Sequence, residues 1–247
     1  MSLSHDSRDK IRPNPLVRNP TTLLIWAIIA MQIVIAIAAF PFMPAVVPVH
    51  WGANGQPNGY SSKLLATLLF PGMSIGISVL LPVLMGISPR LGDRSNVVAN
   101  ARVCNMLMAG ITLFLLILQL STTMVALGMN IGIIFVMNLS MAVLFIFLGN
   151  YMGKLRRNFW MGIRTPWTIA SDVVWERTHR LGGWLMVTVG LLGIPFSFVP
   201  QLRIFGMVVL IVLVAIFLYI YSYLCYRQNT LGDREPLASP FDHTNDE

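Results

Sequence analysis

Asp172, Glu176 and His179 stand at i, i+4 and i+7, a spacing that sets side chains on one face of a helix. A carboxylate beside an imidazole is the kit of general acid–base chemistry, and Glu-x-x-His is also a spacing used by di-iron helical bundles. Such a metal site needs further carboxylates and a second histidine-bearing helix, whereas the long apolar runs of this chain contain no carboxylate. No Ser or Cys nucleophile is recognisably placed. The expectation is therefore ordinary ion pairing with Arg157 or Arg180, with no catalytic residue, no metal and no cofactor. His179 with Glu176 is the pair on which an enzymatic alternative, an intramembrane enzyme, would lean.

Close by, Arg164 is flanked by Gly162 two residues before and Pro166 two residues after, between Trp160 and Trp167. Gly162 permits a turn, and Pro166 biases Thr165 away from helix. Helix is expected to restart with Thr168 or Ser171 as N-cap, with Asp172 and Glu176 complementing its dipole. An anchoring loop at a membrane surface explains the basic residues, and an aromatic belt explains Trp160, Trp167, Trp175 and Trp184. The backbone restriction around Arg164 points further, to a shaped pocket for an anionic group or a docking face for a cytoplasmic protein.

A second polar island, Pro48–Lys63, carries His50, Trp51, Asn54 and Asn58. Asn54-Gly55 and Asn58-Gly59 are turn signals, because Asn and Gly accept positive φ, so a short ordered loop with hairpin character is expected. Trp51 and Tyr60 read as interfacial aromatics, or with the polar residues as a recognition surface for an extracytoplasmic ligand. One histidine without Cys, Asp or Glu nearby does not make a zinc site.

The elements that must position these residues are set by hydropathy. Of 247 residues, 55% are hydrophobic and 11% charged, and the mean hydropathy is +0.70; a soluble domain carries about 25% charged residues. Six runs reach the roughly 18 apolar residues that a spanning helix needs: Thr21–Phe40, Leu64–Gly86, Val103–Leu127, Ile131–Gly149, Leu181–Val199 and Ile204–Tyr226. None alternates with a period of two, so the fold class is all-α integral membrane protein with six transmembrane helices. The first run is longer than a signal-peptide core and lacks a small-residue cleavage site; it is expected to remain as an anchor.

Lysine and arginine orient the helices. With both ends inside, every basic residue except Lys63 and Arg203 falls on the cytoplasmic face. The net charge of +7 then records topology and attraction to the lipid bilayer, with no nucleic-acid partner. The expected organisation is a cytoplasmic tail over 1–20, a helix pair over 21–86 with an extracytoplasmic loop at 41–63, a cytoplasmic loop over 87–102, a four-helix region over 103–226 with a cytoplasmic motif at 150–180, and a cytoplasmic tail over 227–247. Asp93 can pair with Arg90 or Arg94 in the inner loop.

Inside the helices, Asn105, Gln119 and Asn138 offer amides for bonds between helices. Gly72, Ser74, Gly76 and Ser78 form a small-residue pattern that permits close helix approach. No Asp, Glu, Lys or Arg lies at mid-membrane depth, which argues against an ion-coupled transporter but leaves open a transporter or flippase for an amphipathic substrate that binds through amides and broken backbone. Two cysteines, Cys104 and Cys225, imply no disulfide framework.

Taken in order, Asn150, Lys154, Asn158, Gly162, Arg164, Thr165, Pro166, Trp167, Thr168, Ser171, Trp175, Thr178, His179 and Arg180 resemble the signature of the SdpI family of bacterial membrane proteins, centred on GIRTPWT. Upstream, Pro48, His50, Trp51, Gly55, Pro57, Asn58, Ser62 and Lys63 are similar to a domain of unknown function that often precedes it. The resemblance implies a multi-pass immunity protein of the bacterial cytoplasmic (inner) membrane. It would protect against a secreted peptide toxin met at the outer loop and signal to a cytoplasmic regulator met at the inner motif.

Overall fold

Apolar runs that must satisfy their own backbone in lipid become helices, and the computed structural model, which describes residues 20–52, 54–87, 96–203 and 205–232, contains six helices long and apolar enough to cross a membrane. The chain divides into two compact units, Met1–Ile133 and Ile134–Glu247.

The first unit holds α1 (Pro20–Ala39), a 3₁₀ turn at Phe40–Phe42, strands β1 (Val46–Trp51) and β2 (Pro57–Ser62), and helices α2 (Lys63–Ile87) and α3 (Asn96–Ala126). Ile25 and Ile29 of α1 pack on Met108 and Ala109 of α3, with Ile77 and Leu81 of α2 beside them. Buried amides tie the same helices: Gln119 Nε2 donates to the Gln32 carbonyl at 2.8 Å, and Asn105 Nδ2 to Thr22 Oγ1 at 3.2 Å. These are the bonds expected of amides in a bundle without mid-membrane charge.

Helix α3 starts at Asn96, well before the expected Val103. Hydropathy marks only what lipid tolerates; residues 96–102 contain no Gly or Pro, so helical hydrogen bonding continues past the apolar run. The connector expected over 87–102 is shorter by that length. Arg90, Asp93 and Arg94 lie outside the described residues, as do residues 1–19 and 233–247 of the two tails. The small-residue pattern of α2 is also used differently from expectation. Ser74 and Ser78 are buried, while a Cβ at Gly72 or Gly76 would meet nothing within 4 Å, because residues two apart point to nearly opposite sides of a helix.

The second unit opens with α4 (Ile133–Met152) and continues through α5 (Pro166–Ala170), α6 (Asp172–Phe198) and α7 (Phe205–Gly232). Helices α4 and α6 meet backbone to backbone: a Cβ on Gly149 would come within 2.6 Å of the Gly183 carbonyl oxygen, and one on Gly190 within 2.5 Å of that of Ala142. Such close approach is how helices gain packing energy where lipid supplies no hydrophobic drive. Ala142, Val189 and Met207 form the buried centre of this unit. Beyond α6 the turn is held by Arg203, whose Nε donates to the Ser197 carbonyl at 2.6 Å and whose own carbonyl accepts from Asn138 of α4.

Candidate functional site

The motif segment is shaped first by one amide. Asn158, buried between α4 and α5, accepts on Oδ1 from the Trp160 and Met161 amides at 2.9 and 2.7 Å. Its Nδ2 donates to the Arg156 carbonyl at 2.9 Å. A short side chain that bonds its own following backbone makes a turn without helix. Gly162 follows at φ +103°, a left-handed conformation that favours glycine. The chain then runs into Thr165, extended at φ −93°, ψ 161° as expected before proline, and α5 begins with Pro166 at its first position.

Thr165 and Thr168 cap α5 reciprocally: the Thr168 amide donates to Thr165 Oγ1 at 3.2 Å and the Thr165 amide to Thr168 Oγ1 at 2.9 Å. The N-cap of the short helix is thus Thr165, and Thr168 is its third residue rather than the expected cap. Ser171 does cap α6, accepting from the Val174 amide. Thr168 Oγ1 also donates to the Ile163 carbonyl at 2.8 Å. Thr165 Oγ1 lies 3.1 Å from Ser222 Oγ of α7, whose proton is engaged by the Tyr219 carbonyl at 2.7 Å. Trp167 packs edge-on against Tyr219 and beside Tyr223, each with ring centroids 5.1 Å away. The motif is therefore pinned to α7, from which no sequence signal singled out Ser222.

Trp175 and His179, one turn apart on α6, are fully buried and stacked, with centroids 3.9 Å apart. Trp175 Nε1 donates to the Leu155 carbonyl at 2.7 Å. His179 Nε2 accepts from the Ile163 amide at 2.9 Å, and Nδ1 donates to the Trp175 carbonyl at 2.9 Å. An amide can only donate and a carbonyl only accept, so the ring is the neutral Nδ1–H tautomer. The aromatic-belt reading therefore fails for Trp175, whose indole holds the connector from inside, and fits Trp184, which is exposed.

The shared face of Asp172, Glu176 and His179 does not form. Glu176 points outward to Arg156 at 2.6 Å and Asp172 to Arg157 at 2.7 Å, all exposed except the half-buried Arg157, while His179 is buried. The partners are Arg156 and Arg157 rather than Arg180, because both follow α4 where the connector folds back along α6. Arg157 also donates to the Ile169 carbonyl at 2.7 Å, which closes the segment into a loop.

Asn158, Thr165, Thr168, Trp175 and His179 are thus buried beneath the connector, with Thr178 fully buried as well, while Gly162 is exposed at its turn. Asn150, Lys154, Arg164 and Arg180 lie on the surface. Asn150 donates to its own helix at Ile146, Lys154 stands over the Tyr151 ring, and Arg164 donates to the Phe159 carbonyl at 2.6 Å.

The second candidate surface is the β1–β2 hairpin. Val46 pairs with Ser62 and Trp51 with Pro57, with irregular register around His50. Asn54-Gly55 makes the turn, with Gly55 at φ +79°. Asn58-Gly59 lies inside β2 instead of turning: Gly59 sits opposite His50, where a Cβ would come within 2.9 Å of the His50 Cβ. Val47 packs on Ala39, Met43 and Ala126, which seats the hairpin on its own unit. Trp51 is 8% exposed and is no headgroup-facing aromatic; Tyr60, 61% exposed, faces outward. His50 Nδ1 donates to Asn58 Oδ1 at 2.6 Å, Asn54 Oδ1 accepts from the Gln56 amide, and Pro48 is half-buried. Lys63 opens α2 with its ammonium over the Phe40 ring at 4.5 Å.

Residues 154–222 match the SdpI/YfhL protein family, and residues 27–75 match a domain of unknown function, DUF1648. The chain is 26% identical over 202 residues to the Immunity protein SdpI of Bacillus subtilis (strain 168), an alignment covering 81% of this chain and 93% of that protein. No solved structure matches the chain.

Proposed function

Starting from a chain that is an SdpI-family protein and spans a bacterial membrane several times, we propose that it is an immunity protein that protects its cell from a secreted peptide toxin and reports the toxin to a cytoplasmic regulator. The observation that carries this reading is the extent of the similarity to the Bacillus subtilis immunity protein, 93% of whose length is aligned. The two matched regions fall one on each of the units described above.

The amino terminus faces the cytoplasm in this reading, as the distribution of Lys and Arg favours. The hairpin then meets the outside. Its exposed Tyr60, Val46, His50 and Asn58 offer an aromatic and polar patch of the kind that binds a peptide. The motif meets the cytoplasm, where Arg164 and the half-exposed Phe159 are among its outward-facing residues. The reading is non-enzymatic: both ring nitrogens of His179 are committed to backbone groups.

The test is survival. Cells lacking the protein, and the same cells carrying wild type, Tyr60→Ala or Arg164→Ala at matched membrane levels, are challenged with a panel of secreted antimicrobial peptides. Wild type is expected to raise survival against at least one peptide, Tyr60→Ala to lose that protection, and Arg164→Ala to keep it while abolishing induction of toxin-responsive genes. No protection by wild type against any peptide, with substrate flux in reconstituted vesicles, would replace this reading with the transporter.

A further inference from the structure

A cleft of about 660 Å³ opens in the second unit between the end of α4 and the first turns of α6. Lys154, Arg156, Arg177 and Arg180 line it against a single carboxylate, Glu176. That carboxylate is engaged by Arg156 at 2.6 Å. Among the described residues, Lys154, Arg177 and Arg180 have no carboxylate within ion-pair distance. Three cations without a carboxylate partner that line one cleft repel one another and are stabilised by an anion placed among them.

The position of the cleft selects the anion. Lys154 lies two residues beyond the last residue of α4, Met152. Arg180 immediately precedes the uncharged run that starts at Leu181. The cleft therefore sits where two spanning segments leave the hydrocarbon, the depth of headgroup phosphates. Trp184, one turn further along α6 from Arg180 and 70% exposed, offers an aromatic face to the chains below that depth. Arginine forks match phosphate oxygens in pairs, and lysine supplies a point charge. We propose that this cleft binds the phosphate of an anionic membrane lipid, held by Arg177, Arg180 and Lys154. Positive-inside topology asks only that cations be on one side; it does not ask that four of them line one concave surface whose single carboxylate is already engaged by one of the four.

The experiment is native mass spectrometry of the full-length protein released from detergent. The probes are dioleoylphosphatidylglycerol, dioleoylphosphatidylcholine and inorganic phosphate. Wild type and Arg227→Gln, which removes a cation outside the cleft, are expected to retain phosphatidylglycerol over phosphatidylcholine. Arg177→Gln/Arg180→Gln should lose about tenfold or more of that retention and Lys154→Gln a smaller part, in line with the roughly 1 kcal/mol that each cation contributes near an anionic surface. All three side chains are exposed, so the variants are expected to fold, and Arg177→Lys/Arg180→Lys should restore part of the retention. Equal retention by all variants, or no preference over phosphatidylcholine, overturns the site. Displacement of the lipid by millimolar inorganic phosphate overturns the lipid as its source and leaves a free-anion site.

Discussion

The Ile163 amide donates to Nε2 of His179 at 2.9 Å, joining the centre of the Arg164 loop to a fully buried imidazole on α6. The same nitrogen occupies the space that a Cβ on Gly162 would need. One histidine thus sets both the hydrogen bonding of the loop and the requirement for glycine beside it.

Gly162→Ala should therefore destabilise the protein twice over, through left-handed backbone strain of about 1–3 kcal/mol and through collision with the imidazole. In a His179→Ala background the collision is gone and only the strain remains, so the increment for Gly162→Ala should shrink. Thermal unfolding of the four purified proteins in detergent measures this. Equal increments in both backgrounds would mean that the imidazole is not what excludes a side chain at position 162.

Trp175→Phe keeps most of the buried ring and removes the donor to the Leu155 carbonyl. The orphaned carbonyl should cost about 1–3 kcal/mol. Hydrogen exchange should show faster exchange confined to the segment around Leu155–Ile163, since the indole is what ties that segment to α6.

Thr165→Val removes the N-cap of α5 and the contact with Ser222 together. A loss of about 1–2 kcal/mol is expected from the cap alone, while Thr165→Ser should be close to neutral. A double-mutant cycle with Ser222→Ala should give a coupling energy of about 0.5 kcal/mol or more. A coupling of zero would show that the motif and α7 touch without depending on each other.

On the hairpin, Tyr60→Ala should leave the unfolding temperature unchanged, because surface substitutions away from special features shift stability by no more than about 0.5 kcal/mol. Trp51→Ala, which empties a buried site, should lower it by an amount equivalent to about 3–5 kcal/mol. Protection lost in the first variant reports recognition, whereas loss in the second reports folding; survival and melting assays run side by side separate the two. Gly59→Val should behave like Trp51→Ala, because its Cβ meets His50.

Much was legible without coordinates because lipid imposes one strong condition on a chain. A run such as Leu64–Gly86 must be helical to satisfy its backbone, so hydropathy alone located the six spans. Local chemistry was partly readable: Asn54-Gly55 turns and Ser171 caps α6, whereas the short helix that Pro166 opens was not expected. These outcomes depend on the residue itself and its neighbours within one turn.

What the sequence by itself determined, then, is the class, the spans, the hairpin and the approximate place of the motif. Only the tertiary structure decided which motif residues act together. Glu176 and His179 have the spacing of a pair, yet one faces Arg156 in solvent and the other is buried against Ile163, because partners contributed by the connector 153–165 choose between them. The asparagine of Asn58-Gly59 carries a turn signal, yet it lies in a strand because Gly59 must make room for His50 across the hairpin. Ser222, on a helix that reads as uniformly apolar, becomes part of the motif because α7 brings it within 3.1 Å of Thr165. The physical reason is common to all three: periodicity encodes which way a side chain leaves its own element, and only packing brings the group that it meets.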